Sequence, residues 1–291
     1  MTAIDLVLPE QFDGLPLIVS VSGGKDSTAL ALAMRQAGLT FSMVFADTGW
    51  EAPETYAHLD HLRERIGPID VCGVEGGMVA RIKRRAGFPA RMQRWCTREL
   101  KIEPLRKYHD TIGDDTVSVV GVRSAESAAR SKLPEYEDDA RWGGWIWRPL
   151  IAWTVEDVLA IHHRHGIEIN PLYKRGHNRV GCFPCVYSGK EDIRLVAEHA
   201  PERIDQIRDL EADTKRERAG RNSIEPGRYK HEEGTFFQGQ GTRGGAMPID
   251  RVVAWSRTSH GGKQLPLLQP PPDGGCFRWG MCEPPDDEVK P

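Results

Sequence analysis

Residues 22–27 read Ser-Gly-Gly-Lys-Asp-Ser and combine backbone and side-chain groups that can bind phosphate. They follow an apolar run and precede an alanine- and leucine-rich stretch, so they are predicted to form a turn between a strand and a helix. Two adjacent glycines let backbone N–H groups converge on an anion, and the helix start adds free amides and its positive dipole end. Lys25 adds a mobile positive charge. The Gly-x-x-x-x-Gly-Lys-Ser/Thr loop of common nucleoside triphosphatases is excluded, because the spacing is shorter and Asp26 lies inside the turn. A plain connecting turn is the alternative.

Two further strand ends carry polar groups that a ligand could contact. Asp47 follows a second apolar run and precedes a Thr-Gly pair, so it offers a carboxylate beside a flexible turn. After another β-branched run, Gly121 is followed by Arg123 and Arg130, whose guanidinium groups could clamp phosphate or sulfate oxygens. A solvated helix start is the alternative interpretation of this arginine segment.

Cysteine spacing provides a second chemical signal. Cys182-x-x-Cys185 puts two thiols on one turn, close enough to bind one metal ion or the edge of a cluster. Six cysteines in a chain without a secretory signal indicate metal or thiol chemistry in the cytoplasm rather than structural disulfides. The histidines at 162, 163 and 165 show no metal spacing, and we interpret them as a solvated group near a helix end.

Composition and element order predict a fold that would bring these groups together. The chain is 39% hydrophobic and 28% charged with a net charge of −3, as in ordinary globular proteins, and no apolar run is long enough for a membrane span. β-Branched runs at residues 16–21, 41–46, 69–72 and 117–121 alternate with helical patterns, which favours an α/β fold with a doubly wound, mostly parallel sheet and helices on both faces. Ligands of such sheets lie outside the carboxyl ends of the strands.

The same patterns divide the chain into three regions. Residues 1–150 are predicted to form the nucleotide-binding α/β domain, and residues 151–221 a helical region with the cysteine loop. Within the second region, helices are predicted at residues 154–165, 190–199 and 201–218, with a loop at residues 169–185. Residues 222–291 are rich in Gly, Pro, Gln and charge, so an irregular tail is expected, interrupted at 249–256 and returning to the body through its cysteines.

Five motifs in a fixed order resemble those of a known family. They are the loop at residues 22–27, Arg-Trp-Cys-Thr-Arg-Glu-Leu-Lys at 94–101, and the segments 149–154, 170–173 and 181–185. Over residues 16–190 the chain resembles the phosphoadenosine phosphosulfate reductase family, within the adenine nucleotide alpha hydrolase superfamily. It is most similar there to the ATP pyrophosphatase component of DNA phosphorothioation systems. That resemblance implies the superfamily's fold, ATP binding, pyrophosphate release and sulfur chemistry.

The resemblance implies a role for each candidate residue. ATP would place its β- and γ-phosphates in the loop at residues 22–27, held by Lys25 and by a Mg²⁺ that Asp26 or Asp47 positions. Arg123 and Arg130 would steady the acceptor or the α-phosphate while an acceptor oxygen displaces pyrophosphate. The catalytic candidates are Lys25, Asp26 and Arg123. The nucleotide-binding candidates are Ser22, Gly23, Gly24, Lys25, Asp26, Ser27, Asp47, Gly121, Arg123 and Arg130.

The resemblance also implies a metal site. In the adenylylsulfate branch of the family, a cysteine pair and a later Cys-x-x-Cys hold a [4Fe-4S] cluster. Here Cys96 matches one member of the pair, but Thr97 replaces the other, so a fourth ligand must come from elsewhere. The predicted set is Cys96, Cys182, Cys185 and Cys282, with Cys276 as the alternative fourth ligand. Zn²⁺ and the absence of any metal are the other possibilities.

Expected partners beyond an adenine nucleotide follow from charge and from the implied chemistry. Residues 81–107 contain ten Lys or Arg against Glu99 and Glu103, a local charge of +8. Such a segment could bind a nucleic acid backbone, collect around ATP phosphates or form a solvated basic face. A sulfur-donor protein such as a cysteine desulfurase is the second expected partner.

Two other functions remain open. A thiol-dependent phosphoadenosine phosphosulfate or adenylylsulfate reductase would use a cysteine near the C-terminus as its nucleophile. Residues 280–284 read Gly-Met-Cys-Glu-Pro, however, and lack the Glu-Cys-Gly-x-His context of those enzymes. A non-catalytic ATP-binding subunit would bind the nucleotide without releasing pyrophosphate.

Overall fold

A six-stranded sheet forms the centre of the computed structural model, which describes residues 6–90, 93–139, 142–238 and 245–258. Its strands are β1 (Leu17–Ser20), β2 (Ser42–Asp47), β3 (Ile69–Gly73), β4 (Val117–Val119), β5 (Tyr136–Asp139) and β6 (Gly144–Trp147). Their order is β3-β2-β1-β4-β6-β5, and neighbouring strands are parallel except β5 and β6. The predicted α/β fold with a mostly parallel sheet is confirmed.

Helices cover both faces of the sheet. They are α1 (Lys25–Gln36), α2 (Pro53–Arg65), α3 (Gly77–Arg85), α4 (Trp95–Thr97), α5 (Glu103–Ile112), α6 (Val155–His165), α7 (Pro171–Lys174), α8 (Lys190–His199), α9 (Pro201–Ile224) and α10 (Ile249–Ser256). A π-helical turn, Arg98–Ile102, joins α4 to α5, and short 3₁₀ turns lie at Glu10–Phe12, Ser124–Glu126 and Arg130–Lys132. None of the described helices is both long and apolar enough to cross a membrane.

The ends of α6 illustrate how local sequence sets an element. Thr154 Oγ1 accepts a hydrogen bond from the Asp157 N–H at 3.1 Å, and the Asp157 carboxylate accepts one from the Thr154 N–H at 2.9 Å. This reciprocal pair satisfies two amides that the first turn leaves free. Gly166 ends the helix with a φ of 60°, a left-handed conformation that favours glycine. The predicted helix at residues 154–165 is confirmed.

Three predictions about secondary structure need correction. The segment at residues 169–185, predicted as loop, contains the single turn α7, because Pro171 fixes the backbone of its first position and Asn170 caps it. α9 extends to Ile224, six residues beyond its predicted end, and is pinned there by contacts of its arginines with α3. The tail, predicted to be irregular outside residues 249–256, also contains a strand pair: β7 (Phe237–Gln238) is antiparallel to β8 (Ala246–Met247).

Apolar side chains hold the layers together. Leu30 on α1 and Trp147 on β6 belong to the cluster on one face of the sheet, and Leu105 on α5 belongs to that on the other. Burial of each such side chain stabilises the fold by about 1.5–3 kcal/mol. A third cluster around Trp50 and Ile207 joins α8, α9 and α10 to the segment after β2. The cysteine loop lies on this third cluster.

The strand order creates a crevice between β1 and β4. The chain leaves β1 toward β2 on one side, whereas β4 lies on the other side and connects onward to β6. Connections therefore diverge at the carboxyl ends of β1 and β4, which is where doubly wound sheets bind their ligands. The loops that follow these two strands contain residues 22–27 and 121–130.

Candidate active site

The loop after β1 is closed by its own serines. Ser27 Oγ accepts a hydrogen bond from the Ser22 N–H at 3.1 Å and donates one to the Gly24 carbonyl at 3.1 Å. Gly23 has a φ of 71°, so a residue without Cβ is favoured there. Gly24 is the N-cap of α1, and the amides of the first helical turn therefore face the crevice without intrahelical acceptors. This geometry suits an anion.

A chain of three charges lies at the start of α1. Asp26 is 2.8 Å from the Lys25 ammonium and 2.6 Å from Arg123 Nε. Burial raises the pKa of Asp26, but Lys25 and Arg123 outweigh this effect and hold that pKa below its usual value. Arg123 is only 3% exposed, and its Nη1 is buried without a hydrogen-bond partner among the described residues. A buried guanidinium with spare donors favours an anionic ligand at this position.

Segments far away in the sequence complete the loop. Asn170 Nδ2 donates to the Gly23 carbonyl at 3.2 Å, and the Lys25 N–H donates to the Tyr173 hydroxyl at 3.3 Å. The Lys25 ammonium lies 5.2 Å from the centre of the Tyr173 ring. Gly121, two residues after β4, lies so close to the start of α1 that an added Cβ would stand 2.8 Å from the Asp26 carbonyl oxygen. The motifs at residues 22–27, 121–130 and 170–173 therefore meet at one place.

The remaining nucleotide-binding candidates have different surroundings. Arg130 is buried beside Glu126, with which it forms an ion pair, and burial lowers its pKa. It lines the same crevice as the phosphate loop. Asp47 instead accepts hydrogen bonds from the Gly49 N–H at 2.8 Å and the Tyr56 hydroxyl at 2.7 Å, so its carboxylate closes the turn after β2.

The crevice extends from the loop at residues 22–27 to the cysteine loop and contains about 1500 Å³, counting open solvent at its mouth. Lys25, Arg130 and Arg179 line the part next to residues 22–27. Glu51, Lys101, Cys182 and Cys185 line the other part. A ligand that is anionic at one end could therefore reach both groups of side chains.

Hydrogen bonds hold the cysteine loop against the segment after β2. The Phe183 N–H donates to the Trp50 carbonyl at 2.8 Å, and the Trp50 indole N–H donates to the Pro184 carbonyl at 3.0 Å. Cys182 forms an isolated β-bridge with Glu51, which is itself buried and accepts a 2.7 Å hydrogen bond from the Thr48 hydroxyl. These contacts place Cys182 beside a buried carboxylate.

Lys101 is a cation that acts on this cysteine region. Negative charge on Cys182, and after it on Glu51, raises the pKa of Lys101, although burial acts in the opposite direction. Burial also raises the pKa of the Cys182 thiol to about 12 and that of the Cys96 thiol to about 11. Cys185 acts on both of those thiols through its charge, so three cysteines share one electrostatic environment.

The described residues supply only part of the predicted metal site. Cys96, Cys182 and Cys185 are free thiols around Lys101, which agrees with a shared role. Within the described ranges, however, no group of three or more His, Cys, Asp or Glu side chains has an arrangement that could hold a metal ion. The candidates for the fourth ligand, Cys276 and Cys282, lie outside the described residues. The three described cysteines do not form a metal site as they stand.

One buried carboxylate neutralises part of the basic charge at residues 81–107. Glu99 is buried and forms ion pairs with Arg85, with Arg98 at 3.3 Å and with Arg81 at 3.6 Å. Burial raises the pKa of Glu99, but these arginines outweigh it and lower that pKa overall. The guanidinium of Arg85 also lies 5.3 Å from the centre of the Trp95 ring. These contacts organise α3 and α4 around one carboxylate.

Comparison with known proteins agrees with this geometry. Residues 16–188 match the model of the phosphoadenosine phosphosulfate reductase domain. The chain belongs to this family. An uncharacterized 37.8 kDa protein of Escherichia phage 186 is 33% identical over 251 residues, which cover 67% of this chain and 74% of the phage protein. Adenosine 5'-phosphosulfate reductase of Burkholderia cepacia is 30% identical over 162 residues, 54% of this chain and 64% of that enzyme.

Two further matches cover 58% and 60% of this chain. An uncharacterized protein of Methanocaldococcus jannaschii is 33% identical over 173 residues, which are 58% of this chain and 36% of that protein. Among solved structures, phosphoadenylyl-sulfate reductase from Candida auris in a phosphate complex aligns with a TM-score of 0.48 and 19% identity. That alignment covers 60% of this family member and 84% of the solved chain.

Glu51, Lys101 and His162 are among the side chains of the site that carried no functional assignment from sequence. Glu51 and Lys101 line the crevice, and His162 lies buried against α1. Lys101 had a usable signal, since it ends the motif at residues 94–101 that contains Cys96. His162 had none, because three histidines near a helix end are typical of a solvated surface. That interpretation was wrong for His162, which is 3% exposed, while His163 is exposed.

Proposed function

We propose that this family member is an ATP pyrophosphatase that activates an acceptor by adenylation for sulfur transfer, as in phosphorothioation-like sulfur metabolism. The observation that carries the proposal is the array of Lys25, Asp26 and Arg123 at the N-terminus of α1. Two cations share one carboxylate there, beside helix amides without intrahelical acceptors and an Arg123 Nη1 that has no hydrogen-bond partner in the described part of the chain. Lys25, Arg123 and the helix N-terminus can offset part of the charge that develops on the departing pyrophosphate.

Each residue has a part in this proposal. The amides of the loop at residues 22–27 bind the β- and γ-phosphates, and Lys25 leaves its pair with Asp26 to contact them. Arg123 and Arg130 orient the α-phosphate for in-line attack by an acceptor oxygen. Mg²⁺ bound with ATP adds charge neutralisation, and Asp26 is the acid best placed to position it. The adenylated acceptor is then open to displacement by sulfur with release of AMP.

The test is product analysis with Mg-ATP. With water as the acceptor, hydrolysis between the α- and β-phosphates yields AMP and pyrophosphate in equal amounts. We expect both products from the wild type and neither from Asp26→Ala, whose Lys25 and Arg123 lose their shared carboxylate. Formation of ADP and phosphate, or no hydrolysis at all, would contradict the proposal. The latter result would favour the non-catalytic ATP-binding subunit.

A thiol-dependent sulfonucleotide reductase is the second candidate function. It is favoured by relatives named adenosine 5'-phosphosulfate reductase and by thiols that line the same crevice. Cys282→Ser separates the two candidates, because only the reductase needs a tail nucleophile. We expect this variant to release pyrophosphate at the wild-type rate. Sulfite production from a sulfonucleotide and a thiol reductant that is present in the wild type and absent in Cys282→Ser would support the reductase.

The metal ligands remain part of the proposal. We propose that Cys96, Cys182 and Cys185 hold a [4Fe-4S] cluster together with Cys282, or Cys276 in its place, and that Zn²⁺ is the competing metal. No step of the adenylation depends on the metal. Protein purified without oxygen should contain about four iron and four sulfide per chain, with absorption near 400 nm. Cys96→Ser should lower both contents, whereas Cys72→Ser on β3 should not. Zinc in place of iron would contradict the cluster.

The partners are proposed on chemistry alone. A nucleic acid acceptor would supply both the oxygen for adenylation and a polyanion for the exposed part of residues 81–107. A cysteine desulfurase or another sulfur-donor protein would supply the displacing sulfur. Binding of nucleic acid should weaken steeply with salt, because it releases counterions.

A further inference from the structure

His162 connects α6 to the first residue of α1. Its Nε2 lies 2.8 Å from the Lys25 carbonyl oxygen, and its Nδ1 lies 3.0 Å from the Ile167 carbonyl oxygen. Carbonyl oxygens only accept hydrogen bonds and a neutral imidazole has one N–H, so the ring can donate to one of the two carbonyls. We assign that proton to Nε2, which makes the shorter contact, at Lys25. Neighbouring histidines on the same helix differ: His163 is exposed, and His165 contacts Gln36. Position 162 is thus the one of the three that contacts the phosphate loop.

A hydrogen bond to the Lys25 carbonyl also affects the Asp26 amide. This C=O and the Asp26 N–H belong to the same planar peptide group, so a contact that fixes one fixes the direction of the other. The Asp26 N–H is among the first amides of α1, which have no intrahelical acceptor and point beyond the helix N-terminus. Donation to the carbonyl also polarises the peptide and makes its N–H a stronger donor.

Other contacts already join α6 to α1. Val158 and Ile161 on α6 belong to the same apolar cluster as Leu30 and Met34 on α1. Arg164 also donates to Gln36 at 2.9 Å. The two helices therefore have apolar and polar contacts that do not involve the loop, and a polar bond from a buried ring to Lys25 is not needed to dock them.

We propose that His162 is a positioning residue of the phosphate site. Through the Lys25 carbonyl it orients and polarises the peptide whose Asp26 N–H binds the phosphate chain. This inference rests on the proposed function only in taking the ligand to be the phosphate chain of a nucleotide. It adds a residue from outside the loop whose loss weakens anion binding without contacting the anion.

Two amide substitutions separate positioning from simple packing. His162→Gln places an N–H near the original Nε2 and can still donate to Lys25, whereas His162→Asn places one near Nδ1 and can donate only to Ile167. We expect His162→Asn to weaken binding of inorganic pyrophosphate, measured by calorimetry, about tenfold, the equivalent of one lost hydrogen bond. His162→Gln should remain within about twofold of the wild type. His163→Asn, on the exposed side of α6, is the matched control.

A second measurement needs neither catalysis nor ligand. The amide ¹H and ¹⁵N resonances of Asp26 report the polarisation of its peptide, so His162→Asn should shift them and His162→Gln should leave them near their wild-type positions. Melting temperatures of the variants identify a loss that is due to folding alone. Equal pyrophosphate affinity and equal Asp26 resonances in both variants would overturn the inference, as would equal losses in both. Failure of the wild type to bind pyrophosphate would instead overturn the proposed function, while the resonances would still test His162.

Discussion

Lys25→Met should lower kcat/KM for pyrophosphate release from Mg-ATP by about a thousandfold. Lys25 is the only residue of the loop at 22–27 with a mobile positive charge, and its ammonium already lies within 2.8 Å of the Asp26 carboxylate. Removing it leaves Asp26 paired with Arg123 alone. The site then has one fewer cation to offset the charge that develops on the leaving pyrophosphate.

Methionine is the informative replacement because it keeps an unbranched stem against Tyr173, so packing is largely preserved while charge is lost. Lys174→Met is the matched control. Lys174 follows Tyr173 on α7, but its side chain is exposed and pairs with Glu168. We expect wild-type kinetics from it. If Lys25→Met reacts within threefold of the wild-type rate, the nucleotide phosphates do not bind at this loop.

The parts of the site that could be predicted from sequence depend on local structure. The loop at residues 22–27 can be predicted because a glycine pair, a lysine and a helix start are consecutive in the chain. Thr154 and Gly166 delimit α6 for the same reason, since capping needs only residues within one turn. The mostly parallel character of the sheet also follows from alternation of strands and helices. Gly121 and Arg123 could be placed near the loop only because both follow a strand of that sheet.

The parts that escaped prediction depend on packing between distant segments. His162 meets Lys25 across 137 positions, and Glu51 meets Cys182 only because the cysteine loop folds onto the segment after β2. No spacing rule relates such residues. The helices α3, α4 and α5 were also missed. Glu99 pairs with three arginines from α3 and the π-helical turn, and no local spacing rule relates these residues.

Gly121→Ala should separate the backbone of the site from its side chains. An added Cβ would lie 2.8 Å from the Asp26 carbonyl oxygen, 3.0 Å from its carbonyl carbon and 3.1 Å from the Ser27 nitrogen. All three atoms are backbone, so the crowding cannot be relieved by rotating a side chain. The start of α1 must move away from β4. A displacement near 1 Å at a reacting centre costs about a hundredfold in rate, and we expect kcat/KM for pyrophosphate release to fall by that factor.

Stability measurements make this prediction specific to the loop. Overpacking should also destabilise the fold by about 1–3 kcal/mol, which is compatible with a folded protein at room temperature. Gly220→Ala on α9 is the control, because nothing lies within 4 Å of its added Cβ and alanine favours a helix. It should leave kcat/KM unchanged and the melting temperature equal or slightly higher. A Gly121→Ala protein that melts earlier yet keeps wild-type kcat/KM would mean that catalysis does not depend on the contact between β4 and the loop. The crevice between β1 and β4 would then be a structural junction, and the nucleotide would have to bind elsewhere.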